Sequence, residues 1–207
     1  MILFIQGPLI IHTGYHVSRK EDYMDCIDLM VDEHKNIKRM LKVIREYCYK
    51  ILKGEQIEYE DFFTIIDFVR NYADAHHHGK EEKLLFDRME KEMGPAAQKL
   101  VRHGMLVEHD LGRLHMQELE AAVKRVMEGD DESKLDIIAN AVSYTHLLYR
   151  HIEKEDGVVY TFARNNLVKE TMDKLNYECE KAENKAQEEH LQEKYIKLIE
   201  EFEKKIL

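Results

Sequence analysis

Ten residues near the middle of the chain return, in chemical outline, further along it. His77-His78-Gly79-Lys80-Glu81-Glu82-Lys83-Leu84-Leu85-Phe86 and His151-Ile152-Glu153-Lys154-Glu155-Asp156-Gly157-Val158-Val159-Tyr160 share the pattern His-x-x-Lys-Glu-acid-x-aliphatic-aliphatic-aromatic, 74 residues apart (151 − 77). A fainter pair, Glu33-His34 and Glu108-His109, recurs at nearly the same spacing, 75 (109 − 34). Such a chain reads as two copies of one helical hairpin. Packed about a pseudo-two-fold axis, the copies would deliver the same groups twice to one centre.

Helical periodicity carries that reading. Ile27, Met30, His34, Ile37, Leu41, Ile44 and Cys48 step by three and four along a first helix that Gly54 ends. Phe62, Ile66, Val69, Ala73, His77, Glu81 and Leu84 mark a second, closed by Gly94-Pro95. Met105, His109, Gly112, Met116, Leu119, Val123 and Val126 mark a third, which stops near Gly129. Ile137, Ala141, Tyr144, Leu148, His151, Glu155, Val158 and Phe162 mark a fourth. Four amphipathic helices with short connections predict an all-α, up-down-up-down four-helix bundle over residues 24–165. Residues 166–207 predict an amphipathic helical tail, weakened at Glu188-Glu189-His190.

The stripes bring polar groups inward. His34, His77, His109 and His151 each lie on the apolar face of a different helix, and Glu81 and Glu155 follow one turn after a histidine on the same face. Buried carboxylates are costly alone, and bound cations remove that cost. A nitrogen- and oxygen-rich set without thiolate favours iron or manganese over a structural zinc site. His78 and Glu82 share a face with Asn71 and Asp74 and read as solvated. His76, His103, His115 and His146 lie off the stripes, in outer-shell or surface positions, and His12, His16 and His190 fall outside the bundle.

Composition narrows the function classes. The chain has 207 residues and a net charge of −10, which argues against a nucleic-acid groove and against a polybasic membrane anchor. Nine glycines and two prolines are too few for a chain of many turns, so an all-β sandwich is excluded. Cys26, Cys48 and Cys179 are odd in number and show no Cys-x-x-Cys spacing, so they read as reduced thiols of a cytoplasmic protein. The apolar start, Met1 to Ile11, lacks a basic leader and is broken by Gly7-Pro8, so no targeting or transmembrane segment is read there. Residues 1–23 read as a poorly ordered extension or as an over-called start preceding Met24. There is no phosphate-binding glycine loop, no Gly-x-Ser-x-Gly elbow and no His-Glu-x-x-His.

Glu33-His34, His77-x-x-x-Glu81, Glu108-His109 and His151-x-x-x-Glu155, in that order, resemble the hemerythrin-like, or HHE cation-binding, domain. The resemblance implies a non-haem di-iron centre. Its two irons, joined by an oxo or hydroxo bridge, would be held by His34, His77, Glu81, His109, His151 and Glu155, with Glu81 and Glu155 bridging. The sequence departs from oxygen-carrying hemerythrins in two places. Where those proteins have a fifth histidine, one turn after the helix-three ligand, Arg113 stands (Met105 lies one turn before His109), and where they place the helix-four acid five residues after its histidine, Glu155 lies at four, with Asp156 at five as its rival. Two six-coordinate irons offer about 12 positions, of which about two then stay open.

Three functions fit. The first is a di-iron protein that binds or responds to dioxygen or another small anionic or diatomic ligand, as sensor, scavenger or store. The second is an enzyme turning over peroxide or nitric oxide, with Tyr144 or Tyr149 as a proton source. The third is a metal-linked interaction protein that signals through its C-terminal helix, residues 168–207 meeting a second copy or a protein partner. Arg113 could pair with a bound anion or turn to solvent.

Overall fold

The computed structural model describes residues 25–206; the N-terminal extension, with His12 and His16, lies outside them. The described chain is almost wholly helical. Its elements are α1 (Cys26–Leu52), α2 (60–92), α3 (94–127), α4 (134–166), α5 (Lys169–Glu188) and α6 (Leu191–Lys205). Asp25 caps α1 by accepting hydrogen bonds from the backbone N–H groups of Ile27 and Asp28, each at 3.0 Å. The α2–α3 and α3–α4 connections turn at Gly94 (φ 76°) and Gly129 (φ 103°), where an L side chain would be strained. Pro95 then fits the first turn of α3, which needs no donor there.

Helices α1 to α4 form the antiparallel bundle expected from the stripes. The core is in two apolar parts. One runs through Ile37, Ile44, Phe62, Phe68, Leu119 and Leu148; the other through Met30, Phe86, Met89, Val101 and Val159. Fully burying such a side chain stabilises the fold by about 1.5–3 kcal/mol. Between the two parts lies a polar layer containing His34, His77, Glu81, His109, His151 and Glu155, all buried.

The stripe positions Leu84 and Val158 are not in the core: Leu84 is half-buried and Val158 is 56% exposed. Leu85 and Val159 take their places. The cause is local. Residues Glu81–Phe86 and Glu155–Val159 form wide π-helical turns, which fit one extra residue into a turn and move the inward face along by one.

The tail is two helices rather than one. His190 adopts a left-handed conformation (φ 53°) and breaks the rod. Both pieces run alongside α1 in its own direction. Asn176 on α5 accepts from the backbone N–H of Cys26 near the start of α1 (2.9 Å), and Arg39 donates to Glu203 on α6 (2.7 Å) further along. Leu175 and Cys179 join one apolar part of the core; Tyr195, Ile199 and Phe202 join the other. No helix of the described residues is long and apolar enough to cross a membrane.

Candidate metal centre

The four buried histidines meet in two pairs. The Nε2 atoms of His34 and His77 lie 2.9 Å apart, and those of His109 and His151 lie 3.0 Å apart. Each ring's other nitrogen faces a carboxylate. Nδ1–H of His34 donates to Asp156 (2.7 Å), that of His77 to Glu33 (2.8 Å), that of His109 to Glu82 (2.7 Å) and that of His151 to Glu108 (2.8 Å). A proton on Nδ1 leaves each Nε2 as a lone pair aimed at the centre, the arrangement that orients imidazoles toward a cation.

Two carboxylates span the pairs. Glu155 approaches Nε2 of His34 (3.3 Å) and of His151 (2.9 Å), and Glu81 approaches Nε2 of His77 (3.8 Å) and of His109 (3.5 Å). Tyr160 donates its hydroxyl to Oε1 of Glu81 at 2.5 Å. Oε2 of Glu81 and both oxygens of Glu155 have no hydrogen-bond partner although fully buried.

The donor set fits bound metal cations. Donors about 2.0–2.2 Å from one ion sit roughly 3 Å apart when adjacent, close to the spacings here. Burial and the neighbouring Glu155 push the Glu81 carboxyl well above the usual range. His151 is raised to about 9: burial opposes this, but Glu155 and Glu108 overcome it. In the other pair, burial and His34 depress His77 to about 4, while Asp156 and Glu155 raise His34 against burial. The ligand atoms of His34, His77, Glu81 and Glu155 lie within 4.8 Å of one another, as do those of His78, Glu81, His109 and His151.

Local helix geometry positions these groups. His77, Glu81 and Glu155 all lie in π-helical stretches, and a further one, Val101–Met105, precedes His109 on α3. The supporting carboxylates are held in turn. Lys80 pairs with Glu33, Lys154 with Glu108, Lys38 with Asp156 (3.3 Å) and Arg113 with Glu82 (2.7 Å). Each support has its counterpart in the other repeat.

Several residues stand elsewhere than the sequence suggests. Asp156 faces the outer nitrogen of His34, whereas Glu155 points into the centre. His78 is buried rather than solvated: its ring stacks on His109 (3.8 Å between centroids) and pairs with Asp74 (3.3 Å). Glu82, read with it as solvated, binds His109. Both lie on the inner side because the wide turn spanning 69–78 rotates the helix face. Arg113 is engaged by Asp74, Glu82 and Asp110. His76 pairs with Glu33 (2.9 Å) and Glu183 (3.2 Å). His103, His146 and His190 are exposed, and His115 bonds Asn140. The Tyr149 hydroxyl donates to the carbonyl of Lys38 (3.4 Å), away from the centre. Tyr144 is buried with an unpartnered hydroxyl, and with His78, His109, Gly112 and Arg113 it lines a cavity of about 290 Å³. Tyr160, which no metal-ligand pattern picks out, is the aromatic that closes the repeated motif.

A family model described as the hemerythrin HHE cation binding domain matches residues 25–163, spanning α1 to α3 and most of α4 and stopping short of α5 and α6. No curated protein and no solved structure matches the chain.

Proposed function

Because this chain belongs to the hemerythrin HHE cation-binding domain family, we propose that its centre is a di-iron site through which it binds or responds to dioxygen or another small diatomic or anionic ligand, as a sensor, scavenger or store. His34 and His77 would hold one iron and His109 and His151 the other, with Glu81 and Glu155 shared between them. The carrying observation is the meeting of four inward Nε2 atoms beside three carboxylate oxygens that lack any hydrogen-bond partner. Iron, when bound, would supply a one-electron redox couple and open positions for the small ligand. The residues themselves supply orientation and charge: the Nδ1–carboxylate bonds fix the rings, and Glu81 and Glu155 bring negative charge that two cations balance. All three thiols are buried in the apolar parts of the core, away from the centre, which supports iron over a thiolate-bound zinc.

A di-iron enzyme acting on peroxide or nitric oxide is the second reading. The cavity beside His109, with the unpartnered Tyr144 hydroxyl in its wall, favours it. Metal analysis with optical spectra before and after air, on protein purified anaerobically, tests the site. About two irons per chain and new near-ultraviolet bands on oxidation are expected. One zinc, or no metal, sinks the proposal. Sustained consumption of peroxide or nitric oxide would select the enzyme.

A further inference from the structure

We propose that the C-terminal helices are a working part of the metal centre: Glu183 on α5, acting through Lys80 and Glu33, positions His77. The inference rests on the metal reading above and concerns residues beyond the stretch the family model matches.

The path is short and buried. Glu33 gives Oε2 to Nδ1–H of His77 at 2.8 Å. Its other oxygen, Oε1, accepts from Lys80, from His76 (2.9 Å) and from Gln192 of α6 (3.3 Å). Lys80 also donates to Glu183, which takes His76 at 3.2 Å as well. Lys80 is only 3% exposed, and a buried ammonium is retained only where it is paired. Lys80 is thus shared between two carboxylates, Glu33 and Glu183, with Nε2 of His76 2.9 Å from its Nζ. Removing Glu183 would turn the Lys80 ammonium wholly onto Glu33, and Glu33 would then accept less strongly from Nδ1–H of His77.

The matching repeat shows what the tail adds. Lys154 pairs with Glu108, which holds His151, but Lys154 is 46% exposed. No residue of α5 or α6 makes a hydrogen bond or ion pair with either among the described contacts. The same lysine–carboxylate–histidine unit is therefore locked under the tail in one half and left to solvent in the other. Because α5 and α6 touch only the first unit, the effect of the tail is confined to the iron held by His34 and His77.

The test loads the full chain with ferrous iron under anaerobic conditions and follows release to ferrozine. Wild type, E183Q, K80M, K80R and E203Q are compared. E203Q breaks a tail contact, the Arg39 pair, that does not reach the cluster. One of the two irons should leave E183Q and K80M about 10-fold faster, the low end for outer-shell partners of a metal ligand. The second iron should leave at the wild-type rate, K80R should recover most of the loss, and E203Q should behave as wild type. Unchanged release from E183Q and K80M overturns the proposal, as does equal acceleration of both irons. Should the variants fail to fold, hydrogen exchange on wild type decides. Iron loading should slow exchange over residues 176–195, and no change there overturns the proposal. A wild type that takes up no iron instead defeats the underlying metal reading.

Discussion

The half of the centre built on His34 and His77 and the half built on His109 and His151 begin from one sequence unit and end in different surroundings. Both present paired Nε2 atoms, carboxylate-backed Nδ1 atoms and a lysine behind one of those carboxylates. Around the first half, Tyr160 stacks on His34 and binds Glu81, and the tail covers Glu33 and Lys80. Around the second half, Phe86 replaces that tyrosine beside His109, His78 stacks on the same ring, and a cavity opens. The repeat supplies the coordination frame, and the departures from it separate a closed half from an open one. In the proposed reading, the half under the tail would hold its cation more firmly, and the half beside the cavity would be the one to meet a small ligand.

The comparison can be broken at several levels. Replacing His77 or His151 by Ala should have the largest effect, each lowering bound iron from about two to about one per chain by elemental analysis. Equal loss of both irons from either variant would show that the halves do not act separately. Next come the supports. E33Q should weaken iron binding toward the 100-fold end of the usual 10–100-fold range, and E108Q toward the 10-fold end, because water can reach Glu108. Chelator competition measures both, and equal losses would remove the closed–open distinction.

Tyr160→Phe strips Glu81 of its one hydrogen-bond donor among the described residues and should cost the iron-free protein about 1–3 kcal/mol in urea unfolding. A smaller penalty in the loaded protein would sharpen the case that a cation also satisfies Glu81. In Glu183, burial would raise the carboxyl, but hydrogen bonds from His76 and Lys80 lower it below its ordinary 4.5. A carboxylate depressed on folding contributes stability that is present above about pH 4.5 and is lost as pH falls. E183Q should therefore flatten the acid side of the iron-free stability curve. The smallest effect belongs to K154M, since an exposed pair is worth about 0–1 kcal/mol in denaturation. A loss of several kcal/mol would place Lys154 in the interior after all.

Much of this was legible in the sequence. His34, His77, His109 and His151 sat on stripes of period 3.6, and the repeat singled out Glu81 and Glu155. The supports were visible too, as the lysine and second acid of the repeated motif, yet their role was not. Lys80, Lys154, Glu82 and Asp156 lie off the apolar stripe, and side-chain periodicity alone reads such residues as solvated. What makes them structural is the extra residue in each wide turn, which no propensity scale records. The same shift misplaces Leu84 and Val158 and hides His78. The tail stripe was legible, but its destination was not: amphipathicity says that Leu175 and Tyr195 are covered, not by which chain.

The wide turns also limit how this protein can be redesigned. A designer seeking ideal geometry would delete one residue from Glu155–Val159 to restore regular α-helix. At 3.6 residues per turn, that single excision rotates everything after it by about 100°. Tyr160 and Ala163 would swing from the interior toward solvent, and Glu81 would lose its donor. The irregularity acts as a vernier between the ligand layer and the apolar layer below it, and smoothing it would trade a working centre for a straighter helix.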